Sequence, residues 1–376
     1  MKKNKKPGLR STIRIFFAIF IPCALILGYI LFMFYQNELK AEKKFIEDRM
    51  IQTIDIQKSI IVRDFDSILS DILYLAETHE LQGLLEGAND KDLVAADYSS
   101  FAKRRTIYDQ IRFLDQSGME IVRVNYRKVW PYIVPDDKLQ DKSNRYYFKD
   151  TIKLKRSQVF VSPFDLNKEK GKVEKPLKPM IRFATPVFDR NNKKRGIVVL
   201  NYSGANLTNN VKRIGTEDAI GDTMLLNSEG FWFISPEPGD EWGFMYKDGE
   251  EKTFSNRFPN AWKDISTEEC GRLYTSGGLF IFCEVYPLLG SLGVTSGLRS
   301  FSEEIPDWSG AKEYAWKIVL HSPKDRLESA LGKISTKYLR LFTIFAAFLA
   351  FLSFILTLSR MKRLHLSHLL EKMHIN

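Results

Sequence analysis

Two apolar runs without charged residues, one near each end of the chain, constrain the fold more than any other feature. The first runs from Ile15 to Asn37 and the second from Leu341 to Ser359. A helix needs roughly 20 apolar residues to cross the hydrocarbon core of a bilayer, and both runs approach or exceed this length. A cleaved signal peptide would have a shorter apolar stretch. The sequence therefore predicts two transmembrane helices, over residues 15–37 and 339–359.

Positive charge is concentrated at the two ends of the chain. The formal net charge is +10, of which the first 14 residues carry +6 and the last 17 carry +3. The long middle part is therefore nearly neutral, which excludes an extended nucleic-acid-binding surface. Because Lys and Arg stay on the cytoplasmic side of a membrane, residues 1–14 and 360–376 are predicted to be cytoplasmic tails, with residues 38–338 outside the cytoplasm.

The predicted external region contains two cysteines, Cys270 and Cys283, in a sequence typical of a β-hairpin. A two-residue loop at Ser276-Gly277 would place the cysteines directly opposite each other, whereas other loop lengths shift the register. Disulfides form in oxidising compartments outside the cytoplasm. The pattern is compatible with a Cys270–Cys283 disulfide and also with two unpaired buried thiols.

A long helix is predicted directly after the first apolar run, from Glu38 to Glu86. This stretch contains no proline, and its apolar residues recur at helical spacing. Five of them, spaced alternately four and three residues apart, form one stripe: Ile61, Phe65, Ile68, Ile72 and Leu75. Met50, Ile54 and Ile61 extend the stripe towards the membrane, with the polar Gln57 among them. The stripe could pack against the helix's own domain, or it could form the seam of a homodimer near the membrane.

Strands dominate the rest of the external region and repeat one plan twice. The first set contains five candidate strands: Tyr108–Leu114, Met119–Arg127, Val159–Ser162, Met180–Phe188 and Gly196–Tyr202. The second set follows the same plan: Asp222–Asn227, Phe231–Ser235, a hairpin over Gly271–Tyr286, and Tyr314–His321. The predicted fold class is α+β, with a long N-terminal helix and two successive five-stranded antiparallel sheets, flanked by the two transmembrane helices.

This organisation resembles the double Cache domain of bacterial transmembrane receptors, which is built from two PAS-like units. The similarity is highest over residues 105–207, in the segments IRFLDQSGMEIVRVNY, LQDKSNRYYF, VFVSPFDLNKEKGKVEKPLKPMIRFATPVFD and GIVVLNY. These segments are similar to the sensor region of bacterial histidine kinases. The resemblance implies a helical region over residues 38–104, a membrane-distal Cache domain over 105–210 and a membrane-proximal one over 211–338.

Such a resemblance also implies a function. It is that of a signal-transduction receptor in the bacterial inner membrane, which senses a small ligand in the periplasm or outside the cell. A homodimer and a signalling partner in the cytoplasm, as in a two-component system, are expected with it. The alternative is that the chain is the sensor part of an enzyme, either a sensor histidine kinase or a diguanylate cyclase, whose catalytic module would follow Asn376.

One face of the first predicted hairpin is polar. With a four-residue loop at Asp115–Gly118, Arg112 is expected opposite Ile121. Strand alternation places four polar residues on one face: Gln110, Arg112, Arg123 and Asn125. The other face is apolar, and the helix stripe can cover it. The polar face is then either solvated or part of a ligand pocket.

The resemblance favours the pocket, because Cache domains bind small ligands between the sheet and the segment that crosses its face. That segment contains Arg145, Tyr147 and Phe148, which partly resemble the Arg-x-aromatic-Tyr element of Cache domains that bind amino acids. Gln140 stands where that element has a tyrosine, and Phe148 lacks a hydroxyl. A guanidinium binds a carboxylate through two parallel hydrogen bonds, so a small, anionic, carboxylate-bearing ligand is expected.

Three further residues complete the predicted ligand site: Arg123, Asp165 and Arg182. Arg182 alternates with apolar residues along its strand, so it faces away from them, where it could clamp a ligand or form a structural salt bridge, as could Arg145. Asp165 follows a strand in a loop, where it could receive a ligand amine or cap a turn.

Motifs for catalysis, metals and cofactors are not recognised in the sequence. The external histidines, His79 and His321, have no neighbouring His or Cys at metal-ligand spacing. The three histidines near the C-terminus, His365, His368 and His374, lack the acidic residue and proline that typically follow the phosphoacceptor of a histidine kinase. No catalytic residue, metal site or cofactor is therefore predicted in this chain.

Overall fold

The computed structural model describes residues 9–127, 130–169, 171–217, 221–288, 294–296 and 314–374. The chain divides into two compact units, of which one contains both ends of the chain and the other contains Met50–Pro323. The helices of the described residues are α1 Leu9–Ala76, α2 His79–Leu85, α3 Lys91–Arg105, α4 Tyr146–Thr151, α5 Gly204–Glu217, α6 Phe254–Arg257, α7 Pro259–Ile265 and α8 Lys324–His374. Short 3-10 turns occur at Asp136–Lys138, Pro238–Asp240 and Gly243–Met245.

The strands follow the same order along the chain. The first half contains β1 Tyr108–Asp115, β2 Glu120–Arg127, β3 Trp130–Ile133, β4 Val159–Val161, β5 Asp165–Leu166, β6 Lys168–Glu169, β7 Lys172–Val173, β8 Pro179–Phe188 and β9 Lys194–Ser203. The second half contains β10 Asp222–Asn227, β11 Trp232–Ile234, β12 Cys270–Thr275, β13 Gly278–Val285, β14 Val294–Ser296 and β15 Trp316–Pro323.

The unit formed by the chain ends consists of the start of α1 and the whole of α8. Both helices are long and apolar enough to cross a membrane. Within this unit, the Lys337 ammonium lies 2.8 Å from the Glu38 carboxylate, and the Tyr338 hydroxyl donates a hydrogen bond to the same carboxylate. Polar contacts thus join the two helices that contain the predicted spans.

Helix α1 ends ten residues before the predicted end at Glu86. Its last residue is Ala76, and a separate helix, α2, begins at His79. The Thr78 hydroxyl between them accepts a hydrogen bond from the Leu81 amide. A threonine in this position satisfies a free amide at the start of a new helix, so the chain turns here although its hydrophobic spacing continues.

The first sheet has the strand order β14-β4-β8-β9-β1-β2-β3, with β5 paired to β8. Its central part, β4-β8-β9-β1-β2, consists of the five predicted strands. β3 extends one edge, where Pro131 is tolerated because an edge strand need not donate every ladder hydrogen bond. β14 comes from the second half of the chain and pairs in parallel with β4 at the other edge. Sequence patterns did not predict either addition.

The stripe on α1 covers the apolar face of the first sheet. Its five residues, Ile61 to Leu75, are fully buried within the chain. The Phe65 ring, for example, packs edge-to-face on Phe183 of β8, with ring centroids 5.5 Å apart. The helix therefore packs against its own domain. The alternative, a homodimer seam along this stripe, is wrong because the side chains of the stripe are already buried in their own unit.

The second sheet consists of the five predicted strands, in the order β11-β10-β15-β13-β12. Its hairpin has the two-residue loop Ser276-Gly277, so that Cys270 pairs directly with Cys283, and the two cysteines form a disulfide. Aromatic and aliphatic side chains fill the face of this sheet that α6 and α7 cover, among them Trp232, Phe254 and Phe280.

Aromatic contacts join the two sheets within the unit. Phe65 also lies 5.5 Å from the Trp316 ring of the second sheet. Phe164, between β4 and β5, packs against Phe233, Trp242 and Trp316 at centroid distances of 4.8, 4.9 and 5.4 Å. Because these rings are buried, the two sheets share one continuous apolar junction.

Candidate functional site

A cavity of about 490 Å³ opens on the face of the first sheet that α1 does not cover. This volume is in the range of roughly 300–1,000 Å³ that is typical of small-molecule sites. Its lining is mostly polar or charged and consists of Gln110, Arg112, Arg123, Gln140, Lys142, Arg145, Tyr146, Tyr147, Asp165, Leu166, Asn167, Lys168, Arg182 and Asn201.

The pairing of four adjacent strands brings polar side chains together on this face. Arg112 of β1 pairs with Arg123 of β2, and Gln110 of β1 pairs with Asn201 of β9. Arg182 of β8 pairs in turn with Asn201. Directly paired residues share a face of the sheet, so these side chains all project into the same space.

The register of the β1–β2 hairpin differs from the predicted one by two residues. Arg112 pairs with Arg123 instead of Ile121, because the loop is one residue longer and a β-bulge follows it. The Asp115 carboxylate holds this loop by accepting hydrogen bonds from the amides of Ser117 and Met119. A shift of two residues preserves which side chains share a face, so the predicted polar face is retained.

The bulge also turns Glu120 towards the cavity side of the sheet. Glu120 pairs with Leu114, whereas Phe113 pairs with Val122, and one residue of β2 is therefore left over between them. Strict alternation would have put Glu120 on the apolar face with Val122. Its side chain is instead fully buried beside two arginines that line the cavity.

Arg112 is the centre of a buried polar network. Its guanidinium donates hydrogen bonds to the Tyr147 hydroxyl at 3.0 Å and to the Asn201 side-chain oxygen at 2.7 Å. The Glu120 carboxylate lies 3.6 Å from both the Arg112 and the Arg123 guanidinium. It also accepts a hydrogen bond from the Gln140 amide at 3.1 Å. Glu120 therefore acts as a shared counter-charge for two arginines.

This network is not fully satisfied. Among the described residues, Arg112 Nε and Glu120 Oε1 are buried and have no hydrogen-bond partner. An unsatisfied buried polar atom costs about 1–3 kcal/mol, and more when the group is charged.

A second group of polar residues surrounds Arg182. The Arg182 guanidinium donates to the Asp165 carboxylate at 3.2 Å and to the Asn167 side-chain oxygen at 2.9 Å. Burial raises the pKa of Asp165 above its ordinary value, and the charge of Arg182 opposes this rise. Asp165 is thus already engaged by a cation of the protein.

Lys142 and Arg145 lie on the segment that crosses the face of the sheet. The Lys142 ammonium donates to the Gln140 side-chain oxygen at 2.5 Å. Burial lowers the pKa of Lys142 to about 8, and the positive charges of neighbouring arginines, first among them Arg112, lower it further. The negative charge of Glu120 acts in the opposite direction and raises this pKa. Arg145 immediately precedes α4, and its side chain is exposed at the cavity.

Five of the six predicted ligand-binding residues line the cavity: Arg123, Arg145, Tyr147, Asp165 and Arg182. Phe148 does not belong to the lining. It is buried in the hydrophobic core beneath α4, next to Leu154 and Phe160. Successive residues of a helix point about 100° apart, and here Tyr146 and Tyr147 line the cavity while Phe148 points into the core.

Sequence reasoning missed several lining residues. Lys142 and Tyr146 stand in the same LQDKSNRYYF segment as Arg145, and their position there was the available signal. Asn201 interrupts the apolar strand GIVVLNY, which marks it as a residue with a special role. Asn167 and Lys168 come two and three residues after Asp165, in a stretch of sequence without hydrophobic periodicity. Glu120 had no signal, because only the bulge orients it.

The described residues contain no group of three or more His, Cys, Asp or Glu side chains that could hold a metal ion. The functional groups of the cavity are guanidinium, ammonium, amide, phenol and a single carboxylate. Groups of this kind bind anions by charge and hydrogen bonding.

A family model described as the sensor domain of bacterial histidine kinases matches residues 66–289. This match covers more than half of the chain. None of the curated proteins matches the chain.

Solved structures with a similar fold include a domain described as the extracellular domain of histidine kinase vpHK1S-Z8. It has 21% sequence identity and a TM-score of 0.64, and the alignment covers 77% of this chain and 95% of that one. A domain from Vibrio parahaemolyticus, described as sensory box/GGDEF family, has 22% identity and a TM-score of 0.61, with coverages of 75% and 99%. The ligand-binding domain of the Pseudomonas aeruginosa amino-acid chemoreceptor PctC, solved with GABA, has 14% identity, a TM-score of 0.45 and coverages of 75% and 99%.

Proposed function

Because this chain belongs to the family of bacterial histidine kinase sensor domains, we propose that its cavity binds a small, carboxylate-bearing anion and that binding is signalled across a membrane. The observation that carries this proposal is the charge of the cavity. Its lining has six cationic side chains, Arg112, Arg123, Lys142, Arg145, Lys168 and Arg182, against the carboxylate of Asp165.

The ligand carboxylate binds at Arg145 and Lys142 in this proposal. Both side chains reach the cavity from the segment that crosses the sheet, and Lys142 is close enough to Arg112 and Arg145 for their charges to lower its pKa. A carboxylate between these groups would relieve their mutual repulsion and gain charge-assisted hydrogen bonds. Tyr147 supplies a wall and holds Arg112. Phe148 supports α4 from below and does not touch the ligand.

We further propose the receptor topology that the charge distribution predicts. Residues 15–37 and 339–359 span the bacterial inner membrane, both tails are cytoplasmic, and residues 105–210 and 211–338 form two external Cache domains. The length and apolarity of the two terminal helices support this arrangement. The ligand signal then passes from the first domain through the second to the span at residues 339–359.

The topology has a direct test with reporter fusions. A reporter enzyme that works only outside the cytoplasm should be active when fused near Gly249 and inactive when fused after Asn376, because the basic tails stay in the cytoplasm. Activity of the second fusion would contradict the proposal that both ends are cytoplasmic.

The family match favours a histidine kinase over a diguanylate cyclase as the signalling output. The kinase module would belong to the same polypeptide or to a partner that contacts the cytoplasmic tail. A homodimer is the expected receptor form, but its interface must use surfaces other than the buried stripe on α1.

Arg145 is the residue with which to test carboxylate binding. Succinate added at a hundredfold excess over its dissociation constant should stabilise the full-length protein in detergent by about 2.7 kcal/mol, which raises the melting temperature by several degrees. Arg145→Ala should remove most of this shift. The ligand-free melting temperature should change little, since the Arg145 side chain is exposed.

The matched control is Arg104→Ala, because Arg104 is an exposed arginine of α3 that does not line the cavity. This variant should keep the full ligand-induced shift. If Arg145→Ala instead lowers the ligand-free melting temperature and retains the shift, Arg145 has a structural role and the proposed binding mode fails.

A further inference from the structure

Resting on the proposed function, we infer that the cavity is built for an acid with two or three carboxylates rather than for a monocarboxylate or a zwitterionic amino acid. The two groups of cations described above are named here for their central residues. The Arg112 group contains Arg112, Arg123, Lys142 and Arg145, and the Arg182 group contains Arg182 and Lys168.

The Arg112 group has more positive charge than one carboxylate can balance. Its four cations are accompanied by the buried carboxylate of Glu120 and by Asp109, whose charge also acts on Arg112 and Arg123, which leaves a net charge of +2 in this group. The charges interact with each other, since Arg112, Arg123 and Arg145 all act on Lys142. A ligand with one negative charge would leave the group with a net positive charge, whereas a second carboxylate would balance it.

The Arg182 group offers a second anion site and little uncompensated negative charge for an amine. Asp165 is the carboxylate of the lining, and its charge is already balanced by Arg182 at 3.2 Å. A ligand ammonium bound at Asp165 would be repelled by this guanidinium, which also bonds Asn167. Lys168 next to them is exposed at the cavity and adds a further positive charge. The group therefore attracts a second carboxylate more strongly than it attracts an amine.

The strand order separates the two groups by a distance suited to one small molecule. Arg112 is on β1 and Arg182 on β8, with β9 between them. Two strand spacings correspond to about 10 Å between the backbones, and Asn201 of the intervening β9 bonds Arg112. A compact di- or tricarboxylate can contact both groups in a cavity of about 490 Å³.

A series of related acids tests this inference on the full-length protein in detergent. Butyrate, 4-aminobutyrate and succinate share a four-carbon chain and carry net charges of −1, 0 and −2 near neutral pH, and tricarballylate carries a third carboxylate. Titration calorimetry should give succinate or tricarballylate at least tenfold higher affinity than butyrate, and 4-aminobutyrate the lowest affinity. Tenfold corresponds to about 1.4 kcal/mol.

Two variants distinguish the groups. Lys168→Ala removes an exposed cation of the Arg182 group and should reduce the advantage of succinate over butyrate, while it leaves butyrate binding nearly unchanged. Arg145→Ala should weaken both acids. Inorganic phosphate is the control for a general anion site and should bind more weakly than succinate.

Each contrary result has its own meaning. Equal affinities for butyrate and succinate, or tighter binding of 4-aminobutyrate than of butyrate, would overturn the inference and leave carboxylate binding intact. Equal losses for butyrate and succinate in Lys168→Ala, or tighter binding of phosphate than of succinate, would also overturn it. Failure of every acid to bind would overturn the proposed function together with the inference.

Discussion

Replacing Phe65 with alanine is expected to lower the free energy of unfolding of the unit Met50–Pro323 by about 3–5 kcal/mol. The Phe65 ring is fully buried. It contacts Phe183 of the first sheet, Trp316 of the second sheet, and Tyr314, which lies just before the strand of Trp316. Its removal leaves a cavity where α1 meets both sheets. The loss is therefore larger than the transfer of one ring to water would predict.

Urea unfolding followed by tryptophan fluorescence measures this effect in the full-length protein. The six tryptophans all lie between residues 130 and 316, so their fluorescence reports on this unit and not on the apolar terminal helices. Ile56→Ala is the matched control, because Ile56 is an exposed apolar residue of the same helix. It should change the unfolding free energy by less than about 0.5 kcal/mol. A similar loss in both variants would show that Phe65 does not form the junction.

Replacing Glu120 with glutamine should have two effects of opposite direction. The free energy of unfolding should fall by about 3 kcal/mol, because the variant leaves Arg112 and Arg123 without their shared counter-charge while both remain largely buried. The affinity for succinate should rise about tenfold, since Glu120 competes with a ligand carboxylate for the same guanidinium groups. Glutamine keeps the shape and the acceptor for the Gln140 amide.

The two effects need separate measurements, urea unfolding without ligand and calorimetric titration with succinate at a temperature where the variant is folded. Glu229→Gln removes a carboxylate from an exposed turn of the second sheet and should leave both quantities unchanged. Unchanged succinate affinity in Glu120→Gln would mean that Glu120 does not compete with the ligand.

The helix and the two sheets could be predicted from local patterns because burial follows those patterns here. The alternation of four and three residues from Ile61 to Leu75 predicted a buried stripe, and all five residues are buried. What packs on the stripe could not be predicted, since a domain face and a second helix require the same spacing. The end of α1 at Ala76 is followed by a new helix whose Leu81 amide donates to the Thr78 hydroxyl, and this hydrogen bond does not alter the hydrophobic period.

The site was predictable where it follows alternation and hidden where it does not. Arg123 and Arg182 face the cavity because alternate residues of a strand do so. Glu120 lies beside the lining arginines only because one extra residue in β2 reverses the alternation. Phe148 looked equivalent to Tyr147 in sequence, yet the rotation of a helix separates their directions. The β-bulge and the helix orientation thus determine the side-chain positions in the site that strand alternation does not predict.

The neighbouring residues Phe164 and Asp165 connect the cavity directly to the second sheet. Asp165 lines the cavity, while Phe164, its neighbour in the chain, packs among three aromatic rings of the second half of the unit. Consecutive Cα atoms are about 3.8 Å apart and are joined by a rigid peptide plane. Any displacement of the backbone at Asp165 therefore moves the Phe164 ring as well. One covalent link thus connects the binding chamber directly to the aromatic junction of the neighbouring sheet.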